Sequence, residues 1–256
     1  MANAAFVEAR HELQPHVGAT WTEIAGVYAM FDGISSPITQ TFGLGIFDPF
    51  REAEFEEIEA FFDSRGAVTA HEVCSFAAPE TLSLLSARRY SPIESSVVLV
   101  RPTTLPAQES DTRIVVRSVG ESDAALYSDI AVQGWSSEVP ELVPFIEEMG
   151  SITTRARDTH CFLAELDGRP IAAAALTVHN GVALLAGACT IPEARRQGAQ
   201  LALLHARLTF AARLGVDLAM VVTAPGSASQ RNAERQGFRP VYTRAKWQRS
   251  SGSGNG

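Results

Sequence analysis

The sequence has few cysteines and no long apolar segment. Its 256 residues include three cysteines, Cys74, Cys161 and Cys189, an odd number without C-x-x-C spacing. This pattern disfavours both a disulfide framework and a zinc site. No apolar run approaches the ~20 residues that cross a bilayer, and the first residues carry Glu8 and Glu12 instead of the apolar core of a secretion signal. We therefore expect a cytoplasmic protein without a membrane partner.

Several common binding signatures are also missing. The six histidines show no ligand spacing, so we predict no metal site. Neither G-x-x-x-x-G-K nor G-x-G-x-x-G occurs, which disfavours the usual mononucleotide and dinucleotide loops. A net charge of −8 disfavours nucleic-acid binding and would attract a cationic partner. The length leaves room for one large domain or two small ones.

One stretch in the C-terminal half reads as a strand, a loop and a helix. The apolar run Val182–Cys189 predicts a buried strand. The loop Thr190–Gln200 carries two arginines and Gly198, and a helix is predicted from about Gly198 to Leu214. Its apolar face is expected to comprise Leu201, Leu204, Leu208, Ala211 and Ala212. Free N–H groups and the positive end of a helix dipole suit a phosphate, although ordinary strand-to-helix turns also contain R-x-x-G.

The following segments extend this pattern. Asp217–Thr223 predicts a second buried strand, Ser227–Gln236 a short polar helix, and Gly237-Phe238 its end before Val241–Arg244. In this order, the elements resemble the GNAT superfamily of N-acetyltransferases over residues 112–248. The resemblance implies a mixed α/β (α+β) fold and transfer of an acetyl group from acetyl-CoA to the amine of a small molecule or peptide.

The resemblance also implies a set of cofactor-binding residues. Backbone groups of Cys189, Thr190 and Ile191 would hold the pantetheine arm. Ser229 and Asn232 could contact CoA, while Ser227 or Ser229 could equally cap the helix. Gln200 departs from the family, which usually has glycine or alanine there. The loop residues that would hold the pyrophosphate are Arg195, Arg196, Gln197, Gly198, Ala199 and Gln200.

The catalytic acid is where the sequence departs most from the family. Ala233 stands where many relatives carry the tyrosine that protonates the leaving thiolate. Tyr242 is the nearest alternative hydroxyl, although a tyrosine on a strand more often packs. No glutamate stands on the Val182–Cys189 strand to act as a base. Two alternatives therefore stay open: a catalytically silent CoA-binding or structural protein, and a phosphate-binding module for another nucleotide.

The N-terminal half repeats part of this order. The Pro49-to-Gly66 spacing is 17 positions and the Pro192-to-Gly215 spacing is 23, so the first copy is six residues shorter where the second carries its loop. We interpret residues 1–101 as a degenerate GNAT-like module without a cofactor loop, although shared turn chemistry could arise by chance. It would extend the sheet, shape the acceptor cleft or support a homodimer. The remaining predicted segments are a linker, 102–110, the acetyltransferase domain, 111–248, and a flexible tail, 249–256.

The pattern along the chain predicts the other elements. Asn180-Gly181 predicts a hairpin. The expected helices cover 2–13, 53–62, 79–89, 121–135 and 140–149, and the expected strands cover 21–31, 39–47, 68–76, 95–101, 113–119, 160–166 and 170–178.

Overall fold

The computed structural model describes residues 2–47, 51–104, 113–137 and 140–250, apart from the Leu142 side chain. The chain divides into two compact units. Unit 1 comprises Met1–Ala9, Leu99–Val222 and Arg231–Arg239, and unit 2 comprises Arg10–Val98, Thr223–Gln230 and Pro240–Gly256. The predicted strand end at residues 48–49, most of the predicted linker and most of the predicted tail lie outside the described residues.

The described residues form helices and strands in mixed order. The helices are α1 (Ala2–Leu13), α2 (Glu52–Asp63), α3 (Pro79–Ala87), α4 (Ala124–Trp135), α5 (Val143–Thr153), α6 (Ala199–Arg213) and α7 (Ala228–Arg235). The strands are β1 (Thr20–Ile24), β2 (Val27–Phe31), β3 (Gln40–Phe42), β4 (Ala70–Cys74), β5 (Tyr90–Pro102), β6 (Ile114–Val119), β7 (Thr159–Leu166), β8 (Arg169–His179), β9 (Val182–Thr190), β10 (Leu218–Thr223) and β11 (Arg239–Arg249).

Unit 1 contains the strand order β10-β9-β8-β7-β6. Strands β6 to β9 pair antiparallel, and β9 pairs parallel with β10. Helices α4 and α6 cover opposite faces of this sheet, because neighbouring strand residues point to opposite sides. Cys189 Sγ lies 3.7 Å from the Ile130 carbonyl oxygen in α4, whereas Thr190 Oγ1 accepts a hydrogen bond from Gln200 in α6.

Unit 2 is built around the strand order β1-β2-β3-β4-β11-β5. Strands β1, β2 and β3 pair antiparallel, β3 and β4 pair parallel, and β4 pairs antiparallel with β11. Three apolar side chains of α2, Phe55, Ile58 and Phe62, are fully buried in its core. The helical spacing of these residues explains why the acidic segment forms one helix with its glutamates outward.

Two strands predicted in unit 2 are wrong in extent. The expected strand over residues 21–31 is a hairpin of β1 and β2, because Ala25 and Gly26 adopt positive φ values of 48° and 77°. The expected strand over residues 39–47 is only Gln40–Phe42. Gly43, with a φ of 92°, ends it, since that backbone conformation does not continue a strand.

The predicted helix α6 is present, and Leu208 and Ala211 of its expected apolar face are buried, but the other three residues of that face are not. Leu201 and Leu204 are only partly buried and Ala212 is exposed. The helix is apolar on most sides, so its periodicity does not select one face. The residues that it buries are Ala199, Ala202, Leu203, Arg207, Leu208 and Ala211.

Within the described ranges, no helix combines the length and the apolar character that a membrane span requires.

Candidate functional site

Strand β9 contains a β-bulge near its C-terminal end. Cys189 pairs with Ala173 of β8, but the next registered pair is Ala186 with Ala175. Gly187 and Ala188 therefore stand opposite one residue of β8. Gly187 has a φ of 62°, which glycine adopts at little cost. A bulge bends its strand and locally ends regular pairing.

The registered pairing of β9 with β10 ends before the bulge. The registered pairing of β9 with β10 covers Val182 to Leu184 opposite Leu218 to Met220. Farther along β9, Ala186 and Gly187 are exposed although this strand has neighbours on both sides. The backbone of β9 is therefore accessible to solvent at the bulge.

The loop after β9 exposes a run of backbone N–H groups before α6. A short 3-10 helix covers Pro192–Ala194, and Arg196 and Gly198 then have φ values of 65° and 88°. In the part of the chain that the structure describes, no acceptor receives a hydrogen bond from the backbone N–H groups of residues 196 to 201. Consecutive N–H groups at left-handed positions before a helix form a concave site that suits a phosphate.

The side chain of Arg195 is held by protein carbonyls. Its Nη2 donates to the Gly134 carbonyl at 3.0 Å and to Ser137 Oγ at 3.1 Å. Its Nε donates to the Thr190 carbonyl at 3.3 Å. These bonds tie the loop to the C-terminal end of α4. Arg195 therefore helps to fix the shape of the loop.

The other loop side chains leave the backbone accessible. Arg196, Gln197 and Gln200 are exposed, whereas Ala199 is buried. Gln200 Nε2 donates to Thr190 Oγ1 at 2.9 Å. The side chain that departs from the family pattern thus folds back toward β9, and its own N–H group stays available.

The three predicted pantetheine residues differ in orientation. The Ile191 N–H donates to the Ile171 carbonyl at 3.0 Å. Because backbone groups alternate along an antiparallel strand, those of Cys189 also face β8, and those of Thr190 face the opposite side. Thr190 is therefore the one of the three whose backbone groups point away from β8.

Two buried residues flank the bulge, one on each face of the sheet, and neither was predicted from the sequence. Arg207 of α6 is 4% exposed, and its Nη1 donates to the Ala175 carbonyl at 3.1 Å and to the Ala186 carbonyl at 3.4 Å. Burial lowers the pKa of Arg207 to about 10, which leaves it cationic at neutral pH. Tyr127 of α4 lies on the other face, with its hydroxyl 3.7 Å from where a Gly187 Cβ would stand. Burial raises the pKa of Tyr127 well above its ordinary value.

The position of Arg207 is informative only once the buried face of α6 is known. It lies one turn after Leu203 and one turn before Ala211, so it falls on the apolar stripe of α6. A cation in an apolar stripe requires a special partner or a function.

The predicted residues of α7 lie on its exposed side. Ser229 and Asn232 are exposed, and Asn232 Oδ1 accepts a hydrogen bond from Arg235 at 2.9 Å. Ser227 Oγ accepts one from the Gln230 N–H at 3.1 Å, so Ser227 caps this helix. Ala233 is buried.

Tyr242 lies on β11 in unit 2. Its ring contacts Phe76 at a centroid distance of 5.4 Å, which is the packing role that the sequence left open. Partial burial raises the pKa of Tyr242. Its hydroxyl therefore stays protonated at neutral pH.

The cysteines and histidines of the described residues form no metal site. All three cysteines are free, and Cys161 and Cys189 are buried. No group of three or more histidine, cysteine, aspartate or glutamate side chains within the described ranges could hold an ion.

Comparison with known proteins identifies the domain. The model of the acetyltransferase (GNAT) family matches residues 125–238. None of the curated proteins matches the sequence.

Solved structures share the fold over nearly the whole chain. A GCN5-related N-acetyltransferase from Kribbella flavida is 21% identical with a TM-score of 0.68, covering 97% of this chain and 96% of its own. A tandem GNAT protein from the clavulanic acid biosynthesis pathway is 12% identical with a TM-score of 0.62, covering 90% of this chain and 79% of its own. A GNAT-family protein from Novosphingobium aromaticivorans is 17% identical with a TM-score of 0.56, covering 98% and 100%.

These likenesses confirm the predicted fold class, a mixed α/β GNAT-like fold with a tandem GNAT protein among its neighbours. The proposed boundaries of the two modules stay a prediction. The family match covers the predicted loop and the two helices that follow it, α6 and α7. Residues 125–238 of this chain form a domain of the acetyltransferase (GNAT) family.

Proposed function

We propose that this chain is an N-acetyltransferase that transfers an acetyl group from acetyl-CoA to the amine of a small molecule or peptide. The observation that carries the proposal is the run of backbone N–H groups from Arg196 to Leu201 without acceptors in the described residues. A pyrophosphate supplies negatively charged acceptors for such groups at a helix N-terminus. The exposed guanidinium of Arg196 adds a positive charge beside them.

The proposed reaction is direct attack of the amine on the thioester. Cys189 does not suit an acyl-enzyme mechanism, because its thiol is buried on the α4 side of the strand. Bound acetyl-CoA supplies the activated acetyl group. The loop residues 195–200 and the Thr190 backbone would hold its phosphates and pantetheine arm, with Ser229 and Asn232 as further contacts. Holding both reactants in line supplies much of the rate.

The proton transfers have separate assignments. We assign removal of the amine proton to water, since no carboxylate stands on β9. Tyr242 is the proposed donor to the leaving thiolate, because it is the nearest alternative hydroxyl in the sequence to the family's tyrosine position and a phenol carries its proton at neutral pH. Burial raises the pKa of Tyr242 further. Ala233, at the family's usual tyrosine position, favours the second candidate function, a CoA-binding protein that no longer catalyses transfer.

Turnover separates the two functions. Release of free thiol from acetyl-CoA is followed with a panel of small amines and peptides that carry free amines. The proposed enzyme releases thiol in proportion to acetylated product with at least one amine. The silent protein binds CoA in calorimetry but releases no thiol above the hydrolysis background with the whole panel.

Tyr242→Phe tests the proposed acid. General acid catalysis typically contributes about 10²–10⁴-fold to a rate, so kcat should fall by about 100-fold while the affinity for acetyl-CoA stays unchanged. An unchanged kcat would leave Tyr242 with its packing role against Phe76 alone.

A further inference from the structure

Arg207 is a buried cation without a carboxylate partner in the described residues. Its Nε donates to the Leu203 carbonyl at 3.2 Å, and its Nη1 donates to the carbonyls of Ala175 and Ala186. No aspartate or glutamate of the described ranges forms an ion pair with it. Removing an unpaired charge from water costs free energy even after the surroundings relax. Burying Arg207 therefore costs stability, and the carbonyls that it binds indicate its role.

The two carbonyls lie at the start of the bulge. Ala175 and Ala186 are the last registered pair on the hairpin side before Gly187 and Ala188. One nitrogen, Nη1, carries two hydrogens and bridges both strands at this point. The bridge holds β9 to β8 where β9 is no longer registered with β10.

Tyr127 of α4 lies beside the bulge on the other face of the sheet. The hydroxyl of Tyr127 lies next to Gly187, and the Cys161 thiol is close enough to influence its pKa. Cys161, Ala175 and Ala186 lie on one line across β7, β8 and β9. The guanidinium of Arg207 thus bonds to carbonyls at the bulge from the α6 side, and the phenol of Tyr127 lies beside the bulge on the α4 side.

We propose that Arg207 is a positioning residue of the acyl-transfer site, which fixes the bulged backbone at Gly187 and Ala188 by holding the carbonyls of Ala175 and Ala186. The proposal rests on the proposed function, because the exposed edge of this bulge is where the acyl group would lie. Arg207 touches no reacting atom in this scheme. It sets the direction of the backbone groups that do.

Arg207→Met tests the proposal, since methionine fills a similar space without the charge or the donors. The positioning role predicts that kcat falls about 10–100-fold, in the range seen when outer-shell partners of a site are removed. The dissociation constant for CoA should stay within about threefold, because the loop that binds its phosphates is intact. The melting temperature should stay level or rise, because replacing a buried charge by an apolar side chain is often neutral or stabilising.

Arg207→Lys and Arg117→Met serve as matched variants. Lysine keeps the charge but lacks the planar fork, so it should restore part of the lost kcat. Arg117 is a partly exposed arginine of β6 with carboxylate partners, and Arg117→Met should leave kcat unchanged. Loss of kcat in Arg207→Met that merely follows a lower melting temperature would assign Arg207 to stability and overturn the proposal.

Hydrogen exchange separates this proposal from the proposed function, since it needs no turnover. The amides of Ala175 and Ala186 should exchange at least tenfold faster in Arg207→Met than in the wild type. Unchanged exchange at both amides would overturn the positioning role. If the wild type acetylates no amine but these amides lose protection in Arg207→Met, the structural role of Arg207 at the bulge stands and the proposed acetyltransferase function fails.

Discussion

Replacing Gly134 by alanine should disturb the contact between α4 and the strand that carries the site. A Cβ on Gly134 would stand 2.7 Å from Cys189 Cβ, 2.8 Å from Cys189 Sγ and 3.3 Å from the Thr190 nitrogen. Favourable contacts between carbon atoms lie at about 3.5–4 Å. The helix must therefore move by about 1 Å, because Cys189 Cβ and the Thr190 nitrogen are fixed to the strand and cannot rotate away.

Two effects of opposite sign decide the magnitude. Alanine stabilises a helix interior by about 1 kcal/mol relative to glycine. Overpacking a close contact costs about 1–3 kcal/mol, and the very short distance to Cys189 Cβ places this case near the upper end. We expect a net loss of about 1–2 kcal/mol in the free energy of unfolding. Movement of α4 also shifts the Gly134 carbonyl, which accepts a hydrogen bond from Arg195, so affinity for acetyl-CoA should fall.

Urea unfolding and calorimetry measure both effects. Gly150→Ala is the matched control, because its Cβ would stand 2.3 Å from Ser128 Cβ at the contact between α4 and α5. It should lose stability without losing affinity for acetyl-CoA. Cys189→Gly removes the clashing atoms, so the double variant should recover at least about 1 kcal/mol relative to additivity. A Gly134→Ala protein as stable as the wild type, or strict additivity with Cys189→Gly, would refute the close packing.

Three further predictions concern single side chains. Arg196 has a φ of 65°; Arg196→Val should therefore lose about 1–2 kcal/mol of unfolding free energy in urea, because a branched side chain is strained more than arginine in this conformation. Arg196→Gly should stay within about 0.5 kcal/mol of the wild type, because the relief of strain is offset by the greater freedom of glycine in the unfolded chain. Arg195→Met removes the charged donor to Gly134 and Thr190 and should cost about 1–3 kcal/mol of stability in the same assay; an unchanged midpoint would contradict its role in holding the loop. Burial lowers the pKa of His71 to about 3, so the unfolded chain takes up its proton first and stability falls as the pH drops below about 6.5. From pH 7 to pH 5 the wild type should lose about 2 kcal/mol more than His71→Phe, and equal losses would show that His71 is not buried in neutral form.

The sequence predicted the elements around the loop because strong local signals fix them. The Asn180-Gly181 turn fixes the β8–β9 hairpin, and Gly198 fixes the entry into α6. These signals act through a few neighbouring residues, so they need no knowledge of the rest of the fold. The hairpin of β1 and β2 lacked such a signal, since alanine, the residue at position 25, rarely adopts a positive φ.

The buried support of the site was less accessible to sequence reasoning. The face that α6 buries depends on which sheet residues it meets, and a helix that is apolar on most sides does not reveal it. Arg207 therefore looked like part of an ordinary helix. The bulge had one local signal, Gly187 within a strand, but the register shift depends on pairing with β8.

The central claim is that the loop from Arg195 to Gln200 binds the pyrophosphate of acetyl-CoA. Thermal melting with and without acetyl-CoA tests it most directly, on the wild type, Gly198→Glu and the control Gly181→Glu. Both glycines have positive φ values, 88° and 75°, so backbone strain is matched, and only Gly198 lies in the loop. At 100 times the dissociation constant, binding stabilises the native state by about 2.7 kcal/mol, so the melting temperatures of the wild type and of Gly181→Glu should rise and that of Gly198→Glu should not. A wild type that does not shift at saturating acetyl-CoA, or a Gly198→Glu protein that shifts as much as the control, would contradict the claim.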